Sequence, residues 1–201
     1  MDLAHVTYQG PEIDDQELFQ LLPVKLRALL KEINGFIQFG GGLHIRGCCT
    51  SPDWHSLRQA WMSHDAFYQF YRAITITDIP FAQDCYGNQF ILRGRKVYKL
   101  VVETGALEDL RLNLYEFLEA AQTEVHDFLD LELLTRFQNE GGTLSPGQLL
   151  NVYPPPSSKD ATATPVLTAV PFNEQFACLR KYHSQIKVIS AVGGPRLRAV
   201  K

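Results

Sequence analysis

The sequence predicts an α+β fold in which a mainly antiparallel central sheet is flanked by helices and followed by a C-terminal helical extension. The strongest indication is residues 79–105, where apolar and polar side chains alternate between short polar turns, as in a β-meander. Phe90 and Leu92 fall on one side of a strand, and Leu100 and Val102 share a face of the next strand. A second indication is the presence of apolar stripes at helical spacing on both sides of this segment.

The beginning of the chain predicts two helices and two short strands. Asp14 or Asp15 can cap a short first helix, and a second helix is expected over residues 24–33. The apolar positions of the second helix fall at i, i+3, i+4 and i+7, namely Leu26, Leu29, Leu30 and Ile33. Strands are expected at residues 36–39 and 43–47, on either side of a triple-glycine turn.

Two further helices and a strand are expected before the meander. Asp53 can cap a helix that carries two tryptophans, and residues 65–73 predict an aromatic-rich helix. Residues 74–81 alternate like a strand, and Pro80 places that strand at an edge or an end. The remaining predicted strands of the sheet are residues 89–92 and 96–102.

Beyond residue 105 the pattern becomes helical. Asn113 can cap a helix, and Asp130 can cap another. The stripe of the first of these helices consists of Leu114, Phe117, Leu118 and Ala121. Residues 144–153 are apolar but irregular, and a last helix is expected over residues 173–186. We expect one domain over residues 1–190, with residues 143–190 packed on it as an extension, and a basic flexible tail over residues 191–201.

Composition limits the functional classes. The chain has 201 residues, of which 45% are hydrophobic, and a net charge of −3. This allows one well-buried core and disfavours general nucleic-acid binding, for which a basic surface is typical. No apolar run approaches the roughly 20 residues that span a bilayer, and residues 1–15 lack the basic and apolar segments of a signal peptide. We therefore expect a cytoplasmic protein with no membrane partner.

No residue pattern predicts catalysis, a metal or another cofactor. None of the serines lies in a G-x-S-x-G motif. His44 precedes Cys48 and Cys49, but this spacing matches no usual zinc arrangement. We expect buried thiols without a disulfide or a metal, because adjacent side chains of a strand point to opposite faces. His64 and Asp65 allow an acid–base pair, although a helix cap explains them more simply.

An acidic segment is the strongest indication of function. Residues 103–140 contain ten acidic residues and two basic ones, a net charge of −8. One interpretation is that these are the solvated outer faces of amphipathic helices. The other is that the carboxylates imitate a phosphate backbone and block the basic cleft of a nuclease. The predicted partner-binding residues are four carboxylates outside the apolar stripe and two aromatic residues on nearby loops: Glu108, Asp109, Glu116, Glu119, Trp54 and Tyr86.

Short motifs occur in a characteristic order between residues 13 and 137. They are Leu22-Pro23 before an amphipathic helix, Asn34-Gly35 at its end, Gly42-Leu43 entering a strand, Asp84-x-x-Gly87 followed by Phe90, then Val97-Tyr98, Thr104-Gly105 and the acidic helix around Tyr115-Glu116-Phe117-Leu118. This order resembles the SUKH superfamily, which includes Syd and the Smi/Knr-type cell-wall regulators of yeast. Residues 144–155 resemble an extension seen in one bacterial branch of that superfamily.

The resemblance implies a SUKH-like α+β fold, a binding role and no shared catalytic residue set. Bacterial members are typically immunity proteins that neutralise a toxin, often a nuclease or a deaminase. The leading hypothesis is therefore a protein-binding immunity protein that acts on a cognate, basic toxin by stoichiometric binding. The alternative is a non-enzymatic regulatory or scaffolding module of the same fold, with an endogenous protein partner. A small hydrolase is a third class, and no motif supports it.

Overall fold

Seven strands form one antiparallel sheet whose spatial order follows the order of the chain. The computed structural model describes the backbone of residues 4–191 and the side chains of residues 4–186. Each strand pairs with its sequence neighbours, so that β1 and β7 are the two edges. The strands are β1 (Val6–Gln9), β2 (Phe36–Gln38), β3 (Leu43–Ile45), β4 (Ile79–Asp84), β5 (Gln89–Arg93), β6 (Lys96–Val101) and β7 (Ala106–Leu112). The predicted α+β class with an antiparallel sheet is confirmed.

Helices and a small second sheet surround the central sheet. The helices are α1 (Gln16–Leu21), α2 (Val24–Glu32), α3 (Leu57–Met62), α4 (Leu114–Thr123), α5 (Val125–Leu129), α6 (Glu132–Asn139) and α7 (Phe172–Ala191). An antiparallel hairpin of β8 (Gln148–Tyr153) and β9 (Val166–Pro171) precedes α7. None of the helices within residues 4–191 combines the length and the apolar character needed to cross a bilayer.

One face of the sheet is apolar at its centre. The pairing register places Phe36, Ile45, Ala82 and Phe90 side by side across β2 to β5. The apolar stripes of α1, α2 and α4 to α6 pack onto this apolar face in one buried cluster. Phe117 of α4 lies within it, with its ring centroid 4.7 Å from that of Phe90. Helix packing on this face therefore provides the larger part of the hydrophobic core.

The same rungs place a different set of residues on the opposite face, which we call the mixed face. Here His44, Gln83, Gln89 and Leu100 lie side by side across β3 to β6. A second apolar cluster covers part of this face and consists of residues from the 54–76 region, from the sheet and from the extension. The backbone N–H of Leu150 donates to the carbonyl of Cys85 at 2.8 Å, which joins the extension to the end of β4.

Most of the predicted core is confirmed. Leu26, Leu29, Leu30, Phe90, Leu100 and Phe117 are all buried. Leu118 was predicted to be buried and is only half-buried at the margin of the first cluster. The Asn34-Gly35 motif ends α2, and Gly35 has a φ of 77°, the left-handed conformation that glycine adopts readily.

Three predicted elements of the middle region are shorter than expected. The strand predicted at 74–81 begins only at Ile79, because Asp78 accepts hydrogen bonds from the backbone and side chain of Thr75 and closes a turn. The aromatic helix predicted at 65–73 is a single 3₁₀ turn, Phe67–Gln69. Strand β3 ends at Ile45, so Cys48 and Cys49 lie in a loop and the strand argument for their opposed side chains was wrong.

Strand β7 was interpreted as the beginning of a helical region. Its apolar residues Leu107 and Leu110 are three positions apart, which imitates helical spacing. The reason is a bulge, since Val97 pairs with Leu112 whereas the next residue, Tyr98, pairs with Asp109. The extra residues of the bulge shift the alternation of apolar and polar side chains by one residue, so that Leu110 and not Asp109 follows Leu107 as the next apolar position. Glu108 and Asp109 consequently lie on an edge strand.

The remaining differences concern caps and the ends of the chain. Ser56, and not Asp53, caps α3, and Asp130 is the left-handed residue that ends α5. Asp15 caps α1 as predicted. The region predicted as irregular at 144–153 contains β8, and β1 and β9 were not predicted. Residues 192–201, nearly all of the predicted basic tail, lie outside the described residues.

Candidate binding surfaces

The carboxylates of the acidic segment are concentrated on four consecutive elements, β7 and α4 to α6, and on the residues beside them. Helix α4 contacts both β7 and α5. Nine of the ten acidic side chains are exposed, and Glu103 is the half-buried one. We call the nine the acidic surface: Glu108, Asp109, Glu116, Glu119, Glu124, Asp127, Asp130, Glu132 and Glu140. The two basic residues of the segment leave this surface strongly negative.

Two of the four predicted carboxylates also stabilise the local backbone. Glu116 accepts the N–H of Asn113 at 2.7 Å, while Asn113 accepts the N–H of Glu116, and together they form a capping box at the start of α4. Asp109 accepts the N–H of Arg111, the left-handed residue of the bulge, at 2.8 Å. This hydrogen bond, followed by an ion pair with Lys96, lowers the pKa of Asp109.

Glu108 lies beside a half-buried lysine. It pairs in register with Lys99, whose Nζ is 3.3 Å from a buried carboxylate oxygen of Asp84. Burial acts to lower the pKa of Lys99, but Asp84 and then Asp130 and Glu108 outweigh it and raise that pKa. Glu108 therefore belongs to a charged cluster at the sheet edge.

Glu119 is one of the carboxylates of the acidic surface that are available to a partner. It forms no ion pair and no side-chain hydrogen bond with any residue in the described part of the chain. Tyr115 lies one turn earlier on the same face of α4, and its side chain is 70% exposed. Tyr115 is not among the residues predicted from the sequence, although its position outside the apolar stripe and four residues before Glu119 could have indicated it.

Tyr86 is partly occupied by an internal contact. Its hydroxyl donates to the carbonyl of Asp130 at 2.8 Å, and burial raises the pKa of its phenol. The ring borders a cavity of about 300 Å³ that Glu108 and Lys99 also line, together with Tyr182 of α7. The structure thus brings two of the predicted residues, Tyr86 and Glu108, into one pocket.

Trp54 lies at a different place from the other predicted residues. Its ring is half-buried and packs 5.0 Å from the ring of Tyr8 and 5.4 Å from that of His44. It lines a cleft of about 550 Å³ next to the second apolar cluster, which we call the Arg46 cleft after the buried side chain that it contains. The six predicted residues are therefore distributed over β7, α4, the turn between β4 and β5, and this cleft.

The histidines below Trp54 form a buried hydrogen-bonded chain. The Nε2 atom of His44 is 2.8 Å from Nδ1 of His55, Gln83 reaches Nδ1 of His44 at 3.1 Å, and Nε2 of His55 lies 3.1 Å from the carbonyl of Asn34. Burial lowers the pKa of His44 well below its usual value and that of His55 to about 4. Both rings are consequently neutral at pH 7, and no hydroxyl or thiol is hydrogen-bonded to either of them among the described residues.

The cysteines and the exposed histidine pair provide no further site. Burial raises the pKa of Cys48 to about 12 and that of Cys49 to about 11, so neither is a thiolate at neutral pH. His64 lies 3.1 Å from Asp65, which also pairs with Arg180 at 3.0 Å. Within the described residues, no three His, Cys, Asp or Glu side chains converge in a way that could hold a metal ion.

Comparisons with known proteins assign this chain to no family. No protein-family model matches this sequence. No curated protein is significantly similar to it.

Proposed function

We propose that this chain is an immunity protein that neutralises a cognate bacterial toxin, a nuclease or a deaminase, by stoichiometric binding in the cytoplasm. The SUKH-like order of motifs supports this role, and no catalytic step or cofactor is part of it. The partner is a protein with a basic surface, such as the substrate cleft of an enzyme that acts on nucleic acid. The chain blocks that cleft and does not consume a substrate.

The acidic surface is the observation that carries the proposal. Its nine exposed carboxylates lie on or beside β7 and α4 to α6, and the segment between residues 103 and 140 has only two basic residues. Like charges that converge on one region repel each other, which reduces stability unless a partner of opposite charge uses them. A surface of this kind steers a basic partner and accelerates encounter, although each exposed ion pair contributes only about 0–1 kcal/mol.

Tyr115 supplies the apolar contact that charges alone do not provide. An exposed tyrosine beside unpaired carboxylates matches the aromatic residues that dominate binding energy at protein interfaces. Its neighbour Glu119 forms no ion pair and no side-chain hydrogen bond within the described chain, so that binding a partner breaks no such interaction. We place the centre of the interface at Tyr115 and Glu119.

The test pairs this chain with the product of the gene encoded next to it. Expression of that product alone should stop growth, and coexpression of this chain should restore growth through a complex of equimolar composition. Tyr115→Ala should weaken the complex about 10-fold or more, as expected for a central aromatic residue. Tyr153→Ala is the matched control, because Tyr153 is 64% exposed but lies on β8, outside the acidic surface.

One result would contradict the immunity role, and another would contradict the position of the interface. If the adjacent gene product is harmless or does not bind, the regulatory or scaffolding module with an endogenous partner becomes the better hypothesis. If Tyr115→Ala and Tyr153→Ala weaken a genuine complex equally, the interface lies elsewhere, even though the protein protects the cell.

A further inference from the structure

Arg46 is a charged side chain buried in the mixed face. It follows β3, and its relative exposure is 1%. By volume it is the largest of the fully buried side chains in the described part of the chain. Its Nη1 donates to the carbonyl of Pro80 at 2.8 Å, and its Nη2 donates to the Oε1 atom of Gln83 at 2.6 Å. A guanidinium has five N–H donors. Three of them therefore have no acceptor among the residues that the structure describes.

No carboxylate neutralises this buried cation. The arginines that form ion pairs are Arg58, Arg93, Arg136 and Arg180, and Arg46 pairs with no acidic side chain of the described chain. Burial lowers the pKa of Arg46 to about 9, which still leaves it protonated at pH 7. The guanidinium carbon of Arg46 lies 5.7 Å from the centroid of the Phe67 ring, a weak cation–π contact. A buried charge without an opposite charge is costly, and proteins usually pair it.

The Arg46 cleft gives this cation access to a ligand. Its volume of about 550 Å³ is within the range of small-molecule sites. Aromatic side chains form much of its wall, namely Trp54, Phe67, Phe172 and Phe176. The positive end of α7, a helix of 20 residues, begins at Phe172 in the same wall and favours a negative group there.

The charges around the cleft select among anions. Asp53 and Asp65 are exposed and line the cleft, and Asp65 already neutralises Arg180 at 3.0 Å. Arg46 is thus the one cation of the lining, as far as the described residues show, that lacks a carboxylate. A dianion such as a phosphate monoester would be repelled by Asp53, which forms no ion pair among the described residues, whereas a single negative charge is matched by Arg46.

We propose that the Arg46 cleft binds a small monocarboxylic acid with an aromatic or branched apolar body. The carboxylate accepts hydrogen bonds from the free N–H groups of Arg46, and the body packs between Trp54 and Phe172. This site is distinct from the acidic surface and does not depend on the proposed immunity role.

The wild-type protein allows a direct test by nuclear magnetic resonance. The chain has only two tryptophans, so two indole N–H signals report on two places. Trp54 lines the cleft, whereas Trp61 is buried and donates to the carbonyl of Ile76 at 2.8 Å. Titration with phenylacetate should shift the Trp54 signal saturably and leave the Trp61 signal in place. Phenylacetamide and phenyl phosphate should bind at least about 10-fold more weakly than phenylacetate, because neither carries a single negative charge.

Two variants connect the shift with the cleft. Arg46→Met should abolish the phenylacetate response, whereas Arg72→Met, which removes an exposed arginine and the same charge, should not change it. Gln59→Phe fills the cleft from an exposed position on α3 and should also abolish the response with little effect on folding. This second variant keeps the test valid if the protein does not fold without Arg46.

Each of the other outcomes overturns the proposal. The absence of a saturable Trp54 shift in the wild type would mean that Arg46 has only its two structural hydrogen bonds. Equal binding of phenylacetate and phenylacetamide would leave an apolar cleft without anion recognition. Tighter binding of phenyl phosphate would show that Asp53 does not exclude dianions.

Discussion

The apolar face and the mixed face of the central sheet are formed by alternate residues of the same strands, but they bury different types of side chain. Ile45 and Phe90 lie on the apolar face, whereas their chain neighbours His44 and Gln89 lie on the mixed face, with Gln83 between them. The apolar face is stabilised mainly by packing, with the ion pair of Lys99 and Asp84 beside Phe90 at one end. The mixed face contains hydrogen bonds between buried polar groups, and some N–H groups of Arg46 on this face have no acceptor among the described residues. Burial therefore forms a hydrophobic core on one face, and on the other it surrounds Arg46 at the proposed binding site.

The largest effect should come from the apolar face. Phe117 is fully buried, and its ring contacts the rings of Phe81, Phe90 and Phe128. Phe117→Ala should cost about 3–5 kcal/mol of the free energy of unfolding, because the lost contacts leave a cavity. Tyr115→Ala, two residues earlier and exposed, should cost less than about 0.5 kcal/mol. Urea unfolding measures both, and equal costs would contradict this assignment of the helix faces.

The buried histidines of the mixed face should make the free energy of unfolding depend on pH. The pKa of His55 is about 4 in the folded state and about 6.5 when unfolded, so that the unfolded state binds more protons between these values. Stability is therefore fully present above pH 6.5 and should fall by about 2 kcal/mol for His55 alone between pH 7 and pH 5. The lowered pKa values of Asp15 and Asp78 act at lower pH, below about 4.

The pH effect has a simple control. Urea unfolding at pH 7, 6 and 5 should give a steep loss in the wild type and a shallower one in His55→Gln. A wild type that is equally stable at pH 5 and pH 7 would show that the buried histidine chain does not set the acid limit of the fold.

A smaller effect is expected at the start of α4. Glu116→Ala removes one half of the capping box and should cost about 1 kcal/mol. Glu116→Gln removes the charge but keeps an acceptor for the N–H of Asn113, so its cost should be near zero. Thermal unfolding of the two variants separates the structural role of this carboxylate from its charge. If both variants are as stable as the wild type, the capping box contributes nothing.

The sequence was sufficient to predict elements whose periodicity is regular. Leu26, Leu29 and Leu30 gave α2, and the alternation around Phe90 and Leu100 gave the centre of the sheet. Strand β7 was missed because its apolar residues do not alternate regularly. The cause is the bulge in its pairing with β6, and this pairing cannot be recognised from the β7 segment alone. Isolated edge strands such as β1 carry too few apolar residues to differ from a loop.

The candidate sites were predictable to different degrees. The acidic surface follows from charge counting, and even the capping box was visible as Asn113 followed by Glu116 three positions later. The Arg46 cleft was not predictable, since a charged residue after a short strand is normally solvated. Only the fold shows that residues separated by more than 100 positions, such as Arg46 and Phe172, line one cleft.

The central claim is that the position of the acidic surface, and not the net charge of the chain, directs binding. It can be tested with a fourfold amide variant that keeps the local hydrogen bonds, composed of Glu108→Gln, Asp109→Asn, Glu116→Gln and Glu119→Gln. The control variant removes four exposed carboxylates outside the acidic segment and consists of Glu12→Gln, Glu32→Gln, Asp160→Asn and Glu174→Gln. Both variants change the net charge equally.

The decisive measurement is the association rate constant of each variant with the proposed toxin at low ionic strength and at about 0.5 M salt, where the Debye length falls to a few ångströms. The amide variant should associate about 10-fold more slowly than the wild type at low salt, and the control should stay within about twofold. High salt should bring all three rates together. Equal rates for the amide and control variants at low salt would contradict the claim and leave the acidic surface as a solvated exterior.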